Sequence, residues 1–261
     1  MQMIMNLHTH TFRCRHASGT EREYIENALA AGLTTLGFSD HVPYPFPNGH
    51  RSGFRMDCEQ MDDYVDTLLL LREEYKDRID IKIGYEAEYY PAVFDDMLAL
   101  VTSREIDYLI LGQHFLRNEY DGGLYAGREH DAEMLAEYVD QLIEGLGTGV
   151  YTYVAHPDLF RCTCTDEIYE KEFGRLIEYA KNAGIPLEIN LLGIRDNRHY
   201  PTERFFRLCG EIGAQVVLGC DAHSPDVTAD LVSFEKGLAM AEKYGAQVNL
   251  TPKLVPVKKR T

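Results

Sequence analysis

The chain has 261 residues, 45% of them hydrophobic, and it carries 26 Lys and Arg against 42 Asp and Glu, for a formal charge of −16. So negative a charge argues against nonspecific binding to nucleic acid or to an anionic membrane, because both reward clustered cations. The longest aliphatic run, Leu68–Leu71, is far shorter than the roughly 18 residues of a membrane span. Six cysteines in a chain of this length suit reduced thiols. We expect a single cytoplasmic domain over residues 1–261, with no nucleic-acid or membrane partner.

Short apolar runs alternate with helical patterns along the chain. The predicted strands are, in order, 3–7, 35–39, 79–84, 108–112, 151–155, 186–190 and 215–219. The first helix begins at the capping box Thr20-x-x-Glu23, and Gly32 is placed to end it. Further helical stripes follow at 61–69, 135–142 and 173–180, with weaker ones after 91, 202 and 226. Strands separated by helices need crossover connections, so the pattern predicts a parallel α/β fold, either a barrel or a doubly wound sheet.

The carboxyl ends of the predicted strands carry most of the histidines. Because side-chain direction in a strand repeats every two residues, His8 and His10 can reach one ion, and Asp221 and His223 repeat this arrangement. Polar residues at so many strand ends favour a barrel, in which one mouth collects the active site. The candidate metal ligands are His8, His10, His16, His41, Glu86, His114, His156, Asp221 and His223.

Nine candidate ligands are more than one ion needs. A single zinc-type site uses three or four, so this set would hold three ions if Glu86 bridges two of them. Imidazole with carboxylate suits zinc, iron or manganese. Taken alone, a His-x-His pair is a weak signal, and His114 or His156 could be a neutral core histidine. The joint pattern at several strand ends favours a multinuclear site.

The motifs follow one order along the chain: His8-Thr9-His10, Cys14-Arg15-His16, Ser39-Asp40-His41-Val42-Pro43, Gly84-Tyr85-Glu86, Gly112-Gln113-His114-Phe115, Ala155-His156-Pro157, Leu187-Glu188-Ile189-Asn190 and Cys220-Asp221-Ala222-His223. In this order they resemble the PHP-domain phosphoesterases of the histidinol-phosphate phosphatase type. The resemblance implies a distorted seven-stranded (βα) TIM-like barrel with a trinuclear metal centre. The ligand sets that it implies for the three ions are His8, His10, Glu86 and Asp221; Glu86, His114 and His156; and His16, His41 and His223.

Such a centre is expected to hydrolyse a phosphate monoester through a metal-bridged hydroxide, with L-histidinol phosphate, from histidine biosynthesis, as the expected substrate. Glu86 and Asp221 would be the carboxylates at the reacting centre. The leaving alkoxide would be protonated by Asp40, by Asp158 or by a metal-bound water, which the sequence does not distinguish.

Substrate-binding residues are predicted beyond three strand ends. Arg195 and Arg161 follow the sixth and fifth strands, where a planar guanidinium can hold phosphate oxygens. Glu88 would suit the cationic organic end of the substrate. The aromatic loop, residues 42–55, is predicted as a substrate wall or lid, or as packing over the barrel mouth. The loop 118–127 matches no pattern of the resembled family.

Three other functions remain open from the sequence. The enzyme could act on phosphotyrosine peptides or nucleotide monophosphates. It could be an amidohydrolase-type deacylase, although that class typically bridges its ions with a lysine that is not found at the fourth strand. It could also bind metal without catalysis, as a sensor.

Overall fold

The computed structural model describes residues 1–258 of the protein. Its strands are β1 (Met5–Asn6), β2 (Thr35–His41), β3 (Asp80–Ala87), β4 (Tyr108–Leu111), β5 (Phe115–Leu116), β6 (Leu124–Tyr125), β7 (Glu129–His130), β8 (Tyr151–Val154), β9 (Arg161–Cys162), β10 (Leu187–Asn190), β11 (Gln215–Gly219) and β12 (Gln247–Val248). Its α-helices are α1 (Glu21–Ala30), α2 (Met61–Tyr75), α3 (Phe94–Val101), α4 (Ala132–Gly147), α5 (Asp166–Ala183), α6 (Leu191–Arg195), α7 (Glu203–Ile212) and α8 (Leu231–Tyr244).

One parallel sheet organises the fold. Its strands lie in the order β1-β2-β3-β4-β8-β10-β11-β12, and each neighbouring pair is parallel. Strands β4, β8 and β10 are buried along their whole length, as expected of a parallel sheet covered on both faces. The seven predicted strands are confirmed, and together with the outer helices they form the expected distorted TIM-like barrel. Strand β12 was not predicted, because two residues carry too little pattern.

The segments that follow β1 and β11 meet at the carboxyl ends of the strands. Thr9, after β1, forms a parallel bridge with Ala222, after β11. The amide of His10 donates to the carbonyl of Ala222 at 2.9 Å, and the amide of Ala222 donates to the carbonyl of His8 at 3.2 Å. This contact brings the first and last histidine motifs of the chain to one place.

Local signals place the helices that cover the sheet. The capping box is present at the start of α1, where the Glu23 carboxylate accepts from the Thr20 amide at 2.7 Å. Helix α5 ends at Gly184 with a φ of 69°, a left-handed conformation that glycine adopts without strain. Within residues 1–258, none of the helices has both the length and the apolar character that crossing a bilayer requires.

Candidate metal centre

Glu86 lies at the centre of a cluster of imidazole rings. It sits near the end of β3, and the register of β2 against β3 places it beside His41. Its carboxylate is buried and has five histidine nitrogens within 3.6 Å. The distances from the Glu86 oxygens are 2.7 Å to His156 Nε2, 3.1 Å to His41 Nδ1, 3.5 Å to His10 Nε2, and 3.6 Å to His8 Nε2 and His114 Nε2. One carboxylate thus lies among candidate ligands from four other strand ends, those of β1, β2, β4 and β8.

A glycine on the neighbouring strand makes room for this carboxylate. Gly112 directly follows β4, and a Cβ atom built on it would lie 1.9 Å from Glu86 Oε1 and 2.5 Å from its Cδ. Real Cβ atoms do not approach other atoms so closely. The glycine in the Gly112-Gln113-His114 motif is therefore required by the position of Glu86.

Asp221 joins the cluster from the end of β11. Its Oδ1 lies 3.1 Å from His10 Nε2, 3.3 Å from His223 Nδ1 and 3.6 Å from His8 Nε2. Asp221 and His156 have positive φ angles of 46° and 30°. Positive φ is uncommon for residues other than glycine and is found often at functional sites, where surrounding contacts hold the backbone in place.

A third group of histidines lies nearer the surface. His16 Nε2 is 2.9 Å from His223 Nε2, and the rings of His16 and His41 have centroids 5.4 Å apart. One ligand atom from each of these three residues lies within 4.8 Å of the others, as in the ligand set that the family resemblance implies. His16 is exposed and His41 is buried, so this group spans from the solvent to the inner cluster.

The ligand atoms fit a metal centre because several of them have no other partner. Four buried atoms that face one another, His8 Nε2, His10 Nε2, His41 Nδ1 and Glu86 Oε2, form no regular hydrogen bond. Buried polar atoms without partners are costly, and protein folds rarely leave them so. Divalent cations that prefer imidazole and carboxylate, such as zinc, iron or manganese, would satisfy all four.

Glu188 is a site residue whose role the sequence did not reveal. It is fully buried in β10, and its Oε1 accepts from His8 Nδ1 at 2.8 Å. Its Oε2 accepts from the His156 amide at 2.9 Å and from Asn190 Nδ2 at 3.0 Å, and Asn190 also donates to Asp221 Oδ2 at 3.1 Å. The hydrogen bond between His8 Nδ1 and Glu188 leaves His8 Nε2 as the free ligand atom. The available signal was a carboxylate in an otherwise apolar, buried strand.

Two other predicted carboxylates support ligands instead of facing the cavity. Asp40 is buried behind His10, where its Oδ1 lies 3.5 Å from His10 Nδ1 and its Oδ2 accepts from the amide and hydroxyl of Thr11. Glu88 is also buried, and its Oε1 accepts from His114 Nδ1 at 2.9 Å. Neither lines the cavity, so the structure does not bring Asp40 to a leaving group or Glu88 to the organic end of a substrate.

The two arginines predicted to hold phosphate lie away from the ligands. The side chain of Arg161 is 56% exposed, and its Nη2 lies 3.8 Å from Glu129 Oε2, since β9 pairs with β7 outside the main sheet. Arg195 ends the short helix α6 and donates to Asp230 Oδ2 at 3.1 Å. Neither lines the cavity that opens over the candidate ligands, so the structure does not bring these arginines to them.

A cavity of about 480 Å³ opens over the ligands. Of the described residues that line it, Arg198 is the one Arg or Lys side chain. Its Nη1 donates to Tyr200 Oη at 2.9 Å and its Nη2 to Asp196 Oδ2 at 3.2 Å. The residues that line the cavity besides the candidate metal ligands are Phe54, Phe115, Tyr125, Leu159, Leu192, Asp196, Arg198 and Tyr200. The cavity therefore combines a cationic group with an apolar and aromatic wall.

The aromatic loop, residues 42–55, lies partly along the cavity and partly away from it. Phe54 lines the cavity, and its ring centroid is 4.9 Å from that of His41. Tyr44 and Phe46 do not line the cavity but stack on each other with centroids 5.0 Å apart. Only the end of the loop thus forms part of the cavity wall, while its beginning packs against the hydrophobic core.

The loop 118–127 is part of a β-hairpin. Strands β5 and β6 pair antiparallel, which sets Phe115 opposite Tyr125, and both side chains line the cavity. Gly122, with a φ of 65°, provides the left-handed position at the hairpin tip. The hairpin was not predicted because its strands have two residues each.

We predict that metal binding depends on pH through His10. Burial alone would lower the pKa of His10, but the neighbouring carboxylates of Asp221 and Asp40 raise it to about 9 in the metal-free protein. A ligand imidazole must lose its proton to bind an ion, so protonation competes with metal below pH 9. Calorimetric titration with Mn²⁺ should show affinity rising by up to about tenfold per unit between pH 6.5 and 8.5, with proton release. Affinity that is constant over this range would contradict the prediction.

Comparison with known protein families and sequences supports the interpretation of these motifs. The PHP domain matches residues 6–191. A probable histidinol-phosphatase of Deinococcus radiodurans is 30% identical over 241 residues, which cover 86% of this chain and 88% of that protein. The histidinol-phosphatase of Bacillus subtilis is 32% identical over 119 residues, which cover 43% of this chain and 44% of that protein.

A solved structure shares the fold. The crystal structure of histidinol phosphate phosphatase from Lactococcus lactis, complexed with zinc, L-histidinol and phosphate, matches with a TM-score of 0.74 at 22% identity. The match covers 95% of this chain and 96% of that chain. The family match extends over more than half of the chain and includes most of the ligand motifs. The chain therefore belongs to the PHP domain family and is of the histidinol-phosphatase type.

Proposed function

We propose that the protein is a metal-dependent phosphatase that hydrolyses L-histidinol phosphate to L-histidinol and phosphate at a centre of three divalent ions. The observation that carries the proposal is the convergence of five imidazole nitrogens within 3.6 Å of Glu86, below a cavity with an arginine and an aromatic wall. The similarity to histidinol-phosphatases over most of the chain supports this substrate.

Two of the three proposed ions share Glu86, and zinc, manganese or iron would suit the ligands of all three. The proposed ligand sets are His8, His10, Glu86 and Asp221; Glu86, His114 and His156; and His16, His41 and His223. Bound there, the ions would supply the positive charge that phosphate hydrolysis needs and would activate water at neutral pH. Asp40, Glu88 and Glu188 lie behind His10, His114 and His8. They would orient these rings, as carboxylates commonly do for histidine ligands.

The cavity wall would position the substrate. Arg198 would present its planar guanidinium, which suits the oxygens of a phosphate monoester. Phe54, Phe115 and Tyr125 line the cavity and would offer aromatic surface to the imidazole and the ammonium group of histidinol. A volume of about 480 Å³ is in the range of small-molecule sites.

The role of Arg198 predicts a defined kinetic defect. Arg198→Met should lower kcat/KM for L-histidinol phosphate by about 10- to 100-fold, because a hydrogen bond to a charged group contributes about 1.5–3 kcal/mol. Arg207→Met is the matched control. The side chain of Arg207 is 40% exposed, like that of Arg198 at 41%, and it also donates hydrogen bonds to two side chains, Glu211 and Glu170. Arg207 lies on α7 and does not line the cavity. Equal kcat/KM for the Arg198 variant and the wild type would contradict this role.

A substrate panel tests the proposed function directly. The metal-loaded protein should hydrolyse L-histidinol phosphate with a higher kcat/KM than a phosphotyrosine peptide or a nucleoside monophosphate. A preference for either of the latter would keep the phosphatase and change its substrate, whereas metal binding without turnover of any monoester would make it a binding protein.

We also place the enzyme in the cytoplasm, which its six unpaired cysteines support.

A further inference from the structure

Arg55 is a buried arginine held by two carboxylates. It ends the aromatic loop, and its side chain is 2% exposed. Its Nη2 donates to Glu88 Oε1 at 2.9 Å and to Glu119 Oε2 at 2.7 Å, and its Nη1 donates to Glu88 Oε2 at 3.1 Å. A third acceptor is the carbonyl of Val42, at 3.0 Å from Nη1. The fork of this guanidinium is therefore fully used within the protein.

Glu88 connects this arginine to a metal ligand. The same oxygen that accepts from Arg55, Oε1, also accepts from His114 Nδ1 at 2.9 Å. An ionised carboxylate only accepts hydrogen bonds, so the Nδ1 atom of His114 must carry the proton. In the neutral ring, His114 Nε2 is then the free ligand atom, and it lies 3.6 Å from Glu86 Oε1, on the side of the cavity.

Arg55 also joins two loops beside this ligand. Glu119 belongs to the hairpin loop, which we define as residues 117–123, between β5 and β6. The guanidinium of Arg55 lies 4.4 Å from the ring centroid of Phe54, which lines the cavity. Arg55 thus contacts Glu119 of the hairpin loop, Phe54 of the cavity wall and Glu88, the hydrogen-bond partner of His114.

We propose that Arg55 is a positioning residue that acts through Glu88 to fix the ring and tautomer of His114 and, through Glu119, ties the hairpin loop to the aromatic loop. This inference rests on the proposed metal centre. Two side chains among the described residues, Arg55 and His114, donate to the buried Glu88 carboxylate. Without Arg55, this carboxylate would keep only the hydrogen bond from His114. Glu88 would then no longer hold the imidazole of His114 with its Nε2 toward Glu86. The affinity for the ion bound by Glu86, His114 and His156 would fall, while the affinities for the other two ions would not change.

Metal titration of Arg55→Met, followed by calorimetry and by elemental analysis, tests the proposal. We expect one of the bound equivalents to lose about 10- to 100-fold in affinity, as when outer partners of metal ligands are replaced, while the others keep wild-type affinity. The kcat for L-histidinol phosphate should fall at limiting metal and recover at saturating metal. Arg55→Lys, which keeps the charge but loses the fork, should show a smaller loss and serves if the Met variant does not fold.

Arg72→Met is the matched control. Arg72 also contacts two carboxylates, Glu105 and Asp107, but these lie at the amino-terminal end of β4, away from the ligands. Unchanged affinity for every equivalent in both Arg55 variants, or an equal loss of all equivalents, would overturn the proposal. If the wild type itself binds no metal and hydrolyses no monoester, the proposed function fails, which distinguishes that result from failure of this inference.

Discussion

Replacing Glu86 with Gln should remove metal and turnover together. The carboxylate lies within 3.6 Å of five imidazole nitrogens, and Gln keeps its shape while losing its charge. Burial alone would raise the pKa of Glu86, but the surrounding histidines lower it well below its ordinary value, so the group acts as a carboxylate. Replacing a partner that only orients a ligand costs about 10- to 100-fold in metal affinity, and loss of the shared ligand itself should cost more than about 100-fold.

Elemental analysis and a phosphate-release assay on the same preparation would measure both effects. Glu235→Gln is a suitable control, because Glu235 is an exposed residue on α8 with no role in the cluster. The control should keep wild-type metal content and kcat/KM. A Glu86→Gln protein that retains full metal content and full turnover would show that this carboxylate does not bridge ions.

Gly112→Ala should disable the centre by adding one methyl group. Its Cβ would lie 1.9 Å from Glu86 Oε1, so the carboxylate, the β4 backbone or both must move. A displacement of about 1 Å in a reacting group can cost on the order of 100-fold in rate. We expect kcat for L-histidinol phosphate to fall at least that far, with metal affinity reduced as well.

The same substitution at Gly174 is the control for Gly112→Ala. Gly174 lies inside α5, and a Cβ there meets no atom within 4 Å. Alanine is a better helix former than glycine by about 1 kcal/mol, so Gly174→Ala should keep activity and raise the melting temperature slightly. Circular dichroism would verify that both variants fold. A Gly112→Ala enzyme with wild-type kcat would mean that Glu86 tolerates a different position.

The parts of the site that the sequence predicted are those carried by strand ends. A parallel barrel collects the residues that follow its strands at one mouth, so His8, His41 and His156 could be placed together without knowing their distances. The seven strands were recognisable because their short apolar runs are separated by helical patterns. The family resemblance added the ligand sets.

The remaining site residues could not be predicted because their roles depend on side-chain direction in loops. Arg195 and Arg198 lie three residues apart after β10, but a short helix turns the first toward Asp230 and the second into the cavity. Glu88 is two residues after Glu86, and this spacing alone does not predict whether its side chain is buried or exposed. The structure shows it buried under Arg55, 33 residues earlier in the chain.

Stepwise addition of Mn²⁺ or Zn²⁺ to metal-stripped protein, with phosphate release from L-histidinol phosphate measured at each step, tests the central claim most directly. The stripped protein should be inactive, and turnover should return as the ions are added and level off at three equivalents per chain. Undiminished phosphate release from the stripped protein would contradict the claim that hydrolysis takes place at this cluster of histidines and carboxylates.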